Sequence, residues 1–322
     1  METLLLSAEE VKGLITMKEA IDAVEDAFKL HALSKALIPQ KVYLSLEIGD
    51  FRAMPAFIMD YAGVKWVNSH PQNPMKGLPS VMAVLILNDP SNGFPLAVMD
   101  ATFLTSLRTG AAGGVAVKHL ARRDSRTFGF VGCGKQARYQ LLAIREICKV
   151  ELVKAYDINR KAEDKFKEFC ESLGVECKLT ELKDVCDCDV LITTTPSTKP
   201  VVKNEWIKDG MHINAIGADA PGKQELEVEI LKRAKIVVDD MQQALHGGEV
   251  NFAVSKGIIS KKDIHATLGE VIAGLKKGRE GNEITIFDST GLAIQDIAVA
   301  KIVYEKAVRK SAGISLKFVE LE

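Results

Sequence analysis

From residue 127 onward the chain alternates short apolar runs with helical stretches. The first such run ends in a glycine-rich turn, Val131-Gly132-Cys133-Gly134-Lys135-Gln136-Ala137. Strands are predicted at 127–131, 152–156, 189–194, 212–216 and 235–238, with helices between most of them. Regular strand–helix alternation implies a parallel sheet covered on both faces, because the crossover helices must pack on it. The turn reads G-x-G-x-x-A. Gly132 permits the tight turn, Gly134 lets a pyrophosphate approach the backbone, and Ala137 keeps the helix close to its strand. Gly132, Gly134, Lys135, Gln136 and Ala137 are therefore candidate dinucleotide-binding residues, with helix N-terminal amides aimed at the phosphates.

The next predicted strand runs into Asp157, 25 residues beyond Gly132. A carboxylate there accepts hydrogen bonds from ribose hydroxyls and repels a 2′-phosphate; alternatively it caps the following helix. The first reading makes NAD the expected cofactor, with Ile158 and Asn159 beside it. Arg160 is a nearby cation that would suit NADP instead.

The rest of the chain sets boundaries. Its 322 residues are enough for two domains, and a formal charge of −1 leaves no footprint for nucleic acid or an anionic membrane. The longest apolar run, 81–87, is far too short to span a bilayer. No secretory signal opens the sequence, and six scattered cysteines form neither a C-x-x-C pair nor a zinc spacing. These features predict a cytoplasmic protein with reduced thiols and no metal. Ser7 with Glu10, and Thr16 with Glu19, are capping-box signatures of two opening helices. Strands at 52–59, 63–67, 80–87 and 94–99, a hairpin turn at 89–93, and a helix at 105–120 follow. Gly110, Gly113 and Gly114 in that helix suggest close backbone packing. A helix at 292–308, apolar around most of its circumference, should be buried.

Several segments together resemble the ornithine cyclodeaminase/mu-crystallin family: Lys65-Trp66-Val67-Asn68-Ser69-His70-Pro71, Thr105-Ser106-Leu107-Arg108-Thr109-Gly110-Ala111, the glycine turn, Gly217-Ala218-Asp219-Ala220-Pro221-Gly222-Lys223-Gln224-Glu225-Leu226, and Phe287-Asp288-Ser289-Thr290-Gly291. The resemblance covers nearly the whole chain in order. It implies an α/β fold: a Rossmann-type, doubly wound parallel-sheet domain at 113–291, inserted into an α+β dimerisation and substrate domain at 1–112 and 292–322. It also implies a homodimer. Within the family the likeness is greatest to the alanine dehydrogenase branch, which implies NAD-dependent oxidation of an amino acid to a keto acid.

Such chemistry needs a cation for the carboxylate, a proton carrier at the amine and a nicotinamide against Cα, at the carboxyl ends of the strands where the domains face each other. Lys65 matches the family lysine and serves as acid/base or carboxylate contact; an ordinary solvated lysine is the alternative. Arg52, before Met54-Pro55, suits a carboxylate as a bidentate donor. The family's bacterial cyclodeaminases, by resemblance, tend to carry glutamate before that Met-Pro pair. An arginine would repel the second ammonium of ornithine but not the methyl of alanine. Arg108 is expected at substrate carboxylate or cofactor phosphate, and Asp219, matching the family's catalytic aspartate, at the substrate ammonium or the hydrolytic water. As a plain turn residue, Asp219 would instead cap a helix starting near Pro221. Thr194, Thr195, Pro196, Ala215, Ile216 and Gly217 end two strands and are expected to flank the nicotinamide, with Ser289 and Thr290 at its carboxamide. An ornithine cyclodeaminase, a ketimine reductase and a mu-crystallin-like NAD(P)H-binding protein are the alternative activities. His246-Gly247-Gly248-Glu249 looks like a site fragment without an evident chemistry.

Overall fold

Both capping boxes form. Ser7 and Glu10 satisfy each other's backbone amides at the start of the helix Ala8–Leu14, and Thr16 and Glu19 do the same for Met17–Ala32. The computed structural model describes residues 1–320. It divides into two compact units, Met1–Arg108 with Leu292–Glu322, and Thr109–Gly291. The division falls inside one helix, Thr102–Leu120, which begins three residues earlier than its pattern predicts.

The first unit is built on a seven-stranded mixed sheet. β1 (Thr3–Leu6) lies parallel to β6 and antiparallel to the short strand Ile314–Leu316. β2 (Val42–Leu46), β3 (Gly49–Ile58), β4 (Tyr61–Ser69), β5 (Ala83–Asn88) and β6 (Pro95–Asp100) form an antiparallel meander. The hairpin between β5 and β6 closes on Asp89, whose amide donates to Phe94 O and whose carbonyl accepts from Gly93 N. Strand alternation places Arg52 and Met54 of β3 on the same face as Lys65 and Val67 of β4, since Arg52 opposes Val67 and Met54 opposes Lys65. That face is covered by the helix Ala293–Lys310, which packs on β3, β4 and β5 and against Met17–Ala32. Every residue from Ala293 to Ala300 is buried, as the all-round apolar pattern requires. The opposite face leaves Val42, Leu44, Trp66, Val84 and Ile86 exposed.

The second unit is an eight-stranded, wholly parallel sheet. Its strands are β7 (Thr127–Val131), β8 (Leu152–Tyr156), β9 (Glu176–Leu179), β10 (Val190–Thr193), β11 (His212–Ala215), β12 (Lys235–Val238), β13 (Ile264–Thr267) and β14 (Thr285–Asp288). Their order, β13-β12-β14-β11-β10-β7-β8-β9, reverses direction between β7 and β10, which makes that junction the topological switch point. β7, β8 and β12 match their predicted limits. Three strands were not predicted, β9, β13 and β14, the first two being four-residue edge strands. The glycines of Thr102–Leu120 meet the helix Lys135–Ile147: a Cβ on Gly110 would lie 2.5 Å from Tyr139 O, and one on Gly113 would lie inside the Gln140 amide. The expected helix near Pro221 does not form; the chain stays irregular until Val228–Arg233. No helix of the described residues is long and apolar enough to cross a membrane.

Candidate active site

In the first unit, Lys65 has no exposed surface. A lysine is rarely fully buried unless paired, and here its Nζ lies 2.8 Å from Asp296 Oδ2. Arg108 donates from Nε to Asp296 Oδ1 at 3.0 Å and from Nη1 to Gln295 Oε1 at 3.0 Å. Asp296 thus binds one cation with each oxygen. Burial pushes the Lys65 ammonium down from its ordinary value to about 7; the Arg108 and Lys41 charges push the same way, while Asp296 opposes them. A lysine shifted this way suits an acid/base group, which works best near the ambient pH.

Asp296 and Gln295 were not singled out in the sequence. Their one signal there is two polar residues on the inner side of an otherwise apolar helix, with partners remote in sequence. Arg52 is also buried, and its fork is engaged by Asp50: Nε donates at 2.7 Å and Nη2 at 3.2 Å, with the guanidinium over the Tyr43 ring. Arg52 and Lys65 share the helix-covered face of the sheet as diagonal neighbours.

In the second unit the glycine turn sits at the switch point. Gly132 has φ +91°, which favours glycine, and a Cβ there would come within 3.1 Å of Thr194. Thr194 Oγ1 donates to Gly132 O, tying the end of β10 to the turn. Gly134 is the exposed N-cap of Lys135–Ile147 and offers no capping side chain, so the positive end of that helix faces outward at the turn, where an anion suits it. Asp157 Oδ2 accepts from Cys133 N at 2.7 Å and Oδ1 from Asn159 N at 2.8 Å. Ile158 beside it is 93% exposed, an isolated apolar surface next to the carboxylate. Gln136 Nε2, in the first turn of Lys135–Ile147, and Ser289 Oγ, just after β14, are two of the eight buried polar atoms of this unit that have no hydrogen-bond partner among the described residues. An uncapped helix start at the switch point, an aspartate following β8 and a glycine turn with positive φ together fit a dinucleotide. Cys133 is no nucleophile, since burial and then the Asp157 charge push its thiol up. No group of three or more His, Cys, Asp or Glu residues suited to a metal occurs among the described residues.

The loops after β10, β11 and β14 are fastened by buried carboxylates. Glu225 accepts from Thr193 Oγ1, Thr195 N, Thr195 Oγ1 and Gly217 N, at 2.6–2.8 Å. Glu249 accepts from the amides of Glu225 and Leu226, and Asp288 from those of Glu249 and Val250. Asp239 accepts from Thr290 N and Gly291 N. A Cβ on Gly248 would lie 2.5 Å from Asp288 Oδ2. The His246–Glu249 fragment is thus a fastening: Glu249 supplies the carboxylate and Gly248 the room. Asp219, on the loop after β11, pairs with Lys223, and both are partly exposed. Thr290 Oγ1 sits 3.1 Å from both Asp239 oxygens, so its hydroxyl is engaged inside the protein.

The model of the ornithine cyclodeaminase/mu-crystallin family matches residues 1–311. The alanine dehydrogenase of Archaeoglobus fulgidus is 64% identical over 322 residues, all of this chain and all of that protein. An archaeal alanine dehydrogenase dimer with bound NAD superimposes with a TM-score of 0.97 at 65% identity, covering 99% of this chain and 100% of that one. The Thermococcus litoralis Δ1-pyrroline-2-carboxylate reductase, solved with NADH and L-proline, gives 0.94 at 43% identity, covering 97% and 99%. On its motifs, its two units and these matches, the chain belongs to the ornithine cyclodeaminase/mu-crystallin family.

Proposed function

We propose that this chain catalyses the reversible NAD-dependent oxidation of L-alanine to pyruvate and ammonia, as a cytoplasmic homodimer. The observation that carries this reading is the buried Lys65–Asp296–Arg108 cluster, in a chain 64% identical along its whole length to an alanine dehydrogenase. Arg52 and Arg108, oriented by Asp50 and by Asp296 with Gln295, supply the positive charge that draws in the substrate carboxylate. Lys65, neutral above about pH 7, takes a proton from the substrate ammonium. The freed lone pair then drives the Cα hydrogen out as hydride, and bound NAD supplies the hydride acceptor. Asp219 orients the water that adds to the imine carbon, so that ammonia leaves and pyruvate forms. In the second unit, Gly132, Gly134 and the first amides from Lys135, Gln136 and Ala137 cradle the pyrophosphate, Asp157 binds the ribose, and Ile158 and Asn159 flank the adenosine. Thr194, Thr195, Pro196, Ala215, Ile216 and Gly217 line the nicotinamide side, and Ser289 Oγ and the Thr290 backbone meet the carboxamide. The exposed apolar sheet face around Trp66, Val84 and Ile86 supports self-association. Six free cysteines suit a reducing compartment.

Incubating purified protein with L-alanine and NAD, and following NADH by its ultraviolet absorbance, tests the reading; no NADH formation sinks it. A second reading, reduction of a cyclic imine to proline, is favoured by the 43% identity to the Thermococcus litoralis reductase. It prevails if Δ1-pyrroline-2-carboxylate consumes NADH while pyruvate with ammonia does not. Arg52 argues against ornithine less than its charge alone suggests, because Asp50 pairs with it; proline formed from ornithine without net NADH would establish cyclisation instead.

A further inference from the structure

Glu163 is buried, with 1% of its side chain exposed, although it lies in the first turns of the helix Arg160–Ser172 where solvent is close. Its two oxygens do different work. Oε1 accepts from Asp157 N at 3.0 Å, and Oε2 accepts from Arg160 Nη1 at 2.9 Å. The Arg160 side chain is otherwise 71% exposed. Asp157 in turn reaches Cys133 N in the glycine turn. One buried carboxylate therefore anchors the backbone of Asp157 and holds the Arg160 cation.

We infer that Glu163 is a specificity-determining positioning residue that enforces NAD over NADP, by holding Arg160 back from a 2′-phosphate and adding a second negative charge behind Asp157. The inference rests on the reading that Asp157 meets the adenosine ribose, and it is independent of which amino acid is oxidised. A 2′-phosphate near Asp157 meets two carboxylates against one guanidinium whose fork is turned to Glu163. With Glu163 neutral, the guanidinium is released and the local balance shifts by one charge. Arg160 in the sequence alone suggests tolerance of NADP; its tether to Glu163 reverses that suggestion.

The test measures NADH and NADPH affinity by fluorescence, without any amino acid, and kcat/KM with NAD and NADP, for the wild type, Glu163→Gln, Arg160→Gln and the double variant. Glu163→Gln keeps the shape and an acceptor for Asp157 N. It is expected to raise the NADPH:NADH affinity ratio roughly five- to tenfold, as one partly screened charge does at short range. The double variant should lose most of that gain, and Arg160→Gln alone should leave the wild-type ratio within about twofold. Glu163→Asp, which keeps the charge, should stay near the wild-type ratio and serves if the glutamine variant does not fold. The inference is overturned if Glu163→Gln weakens both cofactors equally, if the double variant keeps the whole gain, or if Glu163→Asp raises the ratio as neutralisation would. If both cofactors bind as expected and alanine is not oxidised, the alanine reading fails and this inference stands.

Discussion

The first unit buries Lys65, Arg108 and Asp296 together; the second buries Glu225, Glu249, Asp239 and Asp288. In the first cluster opposite charges meet side chain to side chain, and one carboxylate serves two cations. In the second, the carboxylates lie near one another and accept from backbone amides and threonine hydroxyls. Burial shifts protons in both, with opposite results. It loosens the Lys65 proton. It pushes Glu249 well above the usual carboxylate range and Asp288 to about 7, with Glu225 adding to the first and Asp239 to the second. A buried charge is thus no sign of catalysis by itself. A cluster whose donors are amides holds loops in place, whereas a lysine between an aspartate and an arginine, with its proton loosened, has the property that the proposed acid/base role needs.

The largest effect should come from Lys65→Met. Loss of a general acid/base predicts a fall in kcat/KM for alanine of about 10³-fold, with NADH binding by fluorescence unchanged; an unchanged rate would place Lys65 beside Glu225 as a structural group. Asp296→Asn leaves two buried cations with one neutral partner, so about 3–5 kcal/mol of stability should be lost in denaturant melts. Because Asp296 raises the Lys65 value, the limb of the pH–rate profile that reports the lysine should move to lower pH in that variant.

The clusters should also tilt stability in opposite directions. Lys65 falls from 10.5 to about 7 on folding, so between those values the unfolded chain binds more protons and stability rises with pH; its cost is fully present below 7. Asp288 rises from 3.8 to about 7, so the folded chain binds more protons and stability falls as pH climbs through that window. Relative to wild type, Lys65→Met should flatten the alkaline slope and Asp288→Asn the acid one, each by about 2–4 kcal/mol over its window, read from melting curves across pH. The smallest effect is Gly248→Ala. Its methyl would press on the Asp288 carboxylate and should cost about 1–3 kcal/mol, seen in the melting temperature.

What could be read in advance divides along similar lines. β7 and β8 matched because strands covered on both faces are apolar and end in recognisable turns, Gly132 and Asp157. β1 was missed because Thr3-Leu4-Leu5-Leu6 is too short to show alternation and finds its partner at Ala97–Met99, across the unit. The helix before Arg108 begins at Thr102, whose hydroxyl accepts from Ala83 N, a long-range bond without a local signature. Lys65 and Asp219 could be named as candidates because family motifs carry them; the structure adds that Lys65 is buried against Asp296 while Asp219 pairs with Lys223 on a partly exposed loop. Asp296, Gln295, Glu163 and Glu249 could not be named, because each acts through a neighbour that only the fold supplies.

The division of the first unit into two stretches of chain has a consequence for biosynthesis. Arg108 leaves the ribosome 188 residues before its counter-ion, Asp296. At roughly 5–20 residues per second, that is an interval of about 10–40 s. Through that time the whole second unit can emerge and fold, while the sheet bearing Lys65 lacks the helix that will cover it. The nascent chain must therefore keep an uncompensated lysine and an open apolar face in water until the stretch from Leu292 onward arrives. Chains released before Asp296 should be the ones that chaperones hold and proteases clear.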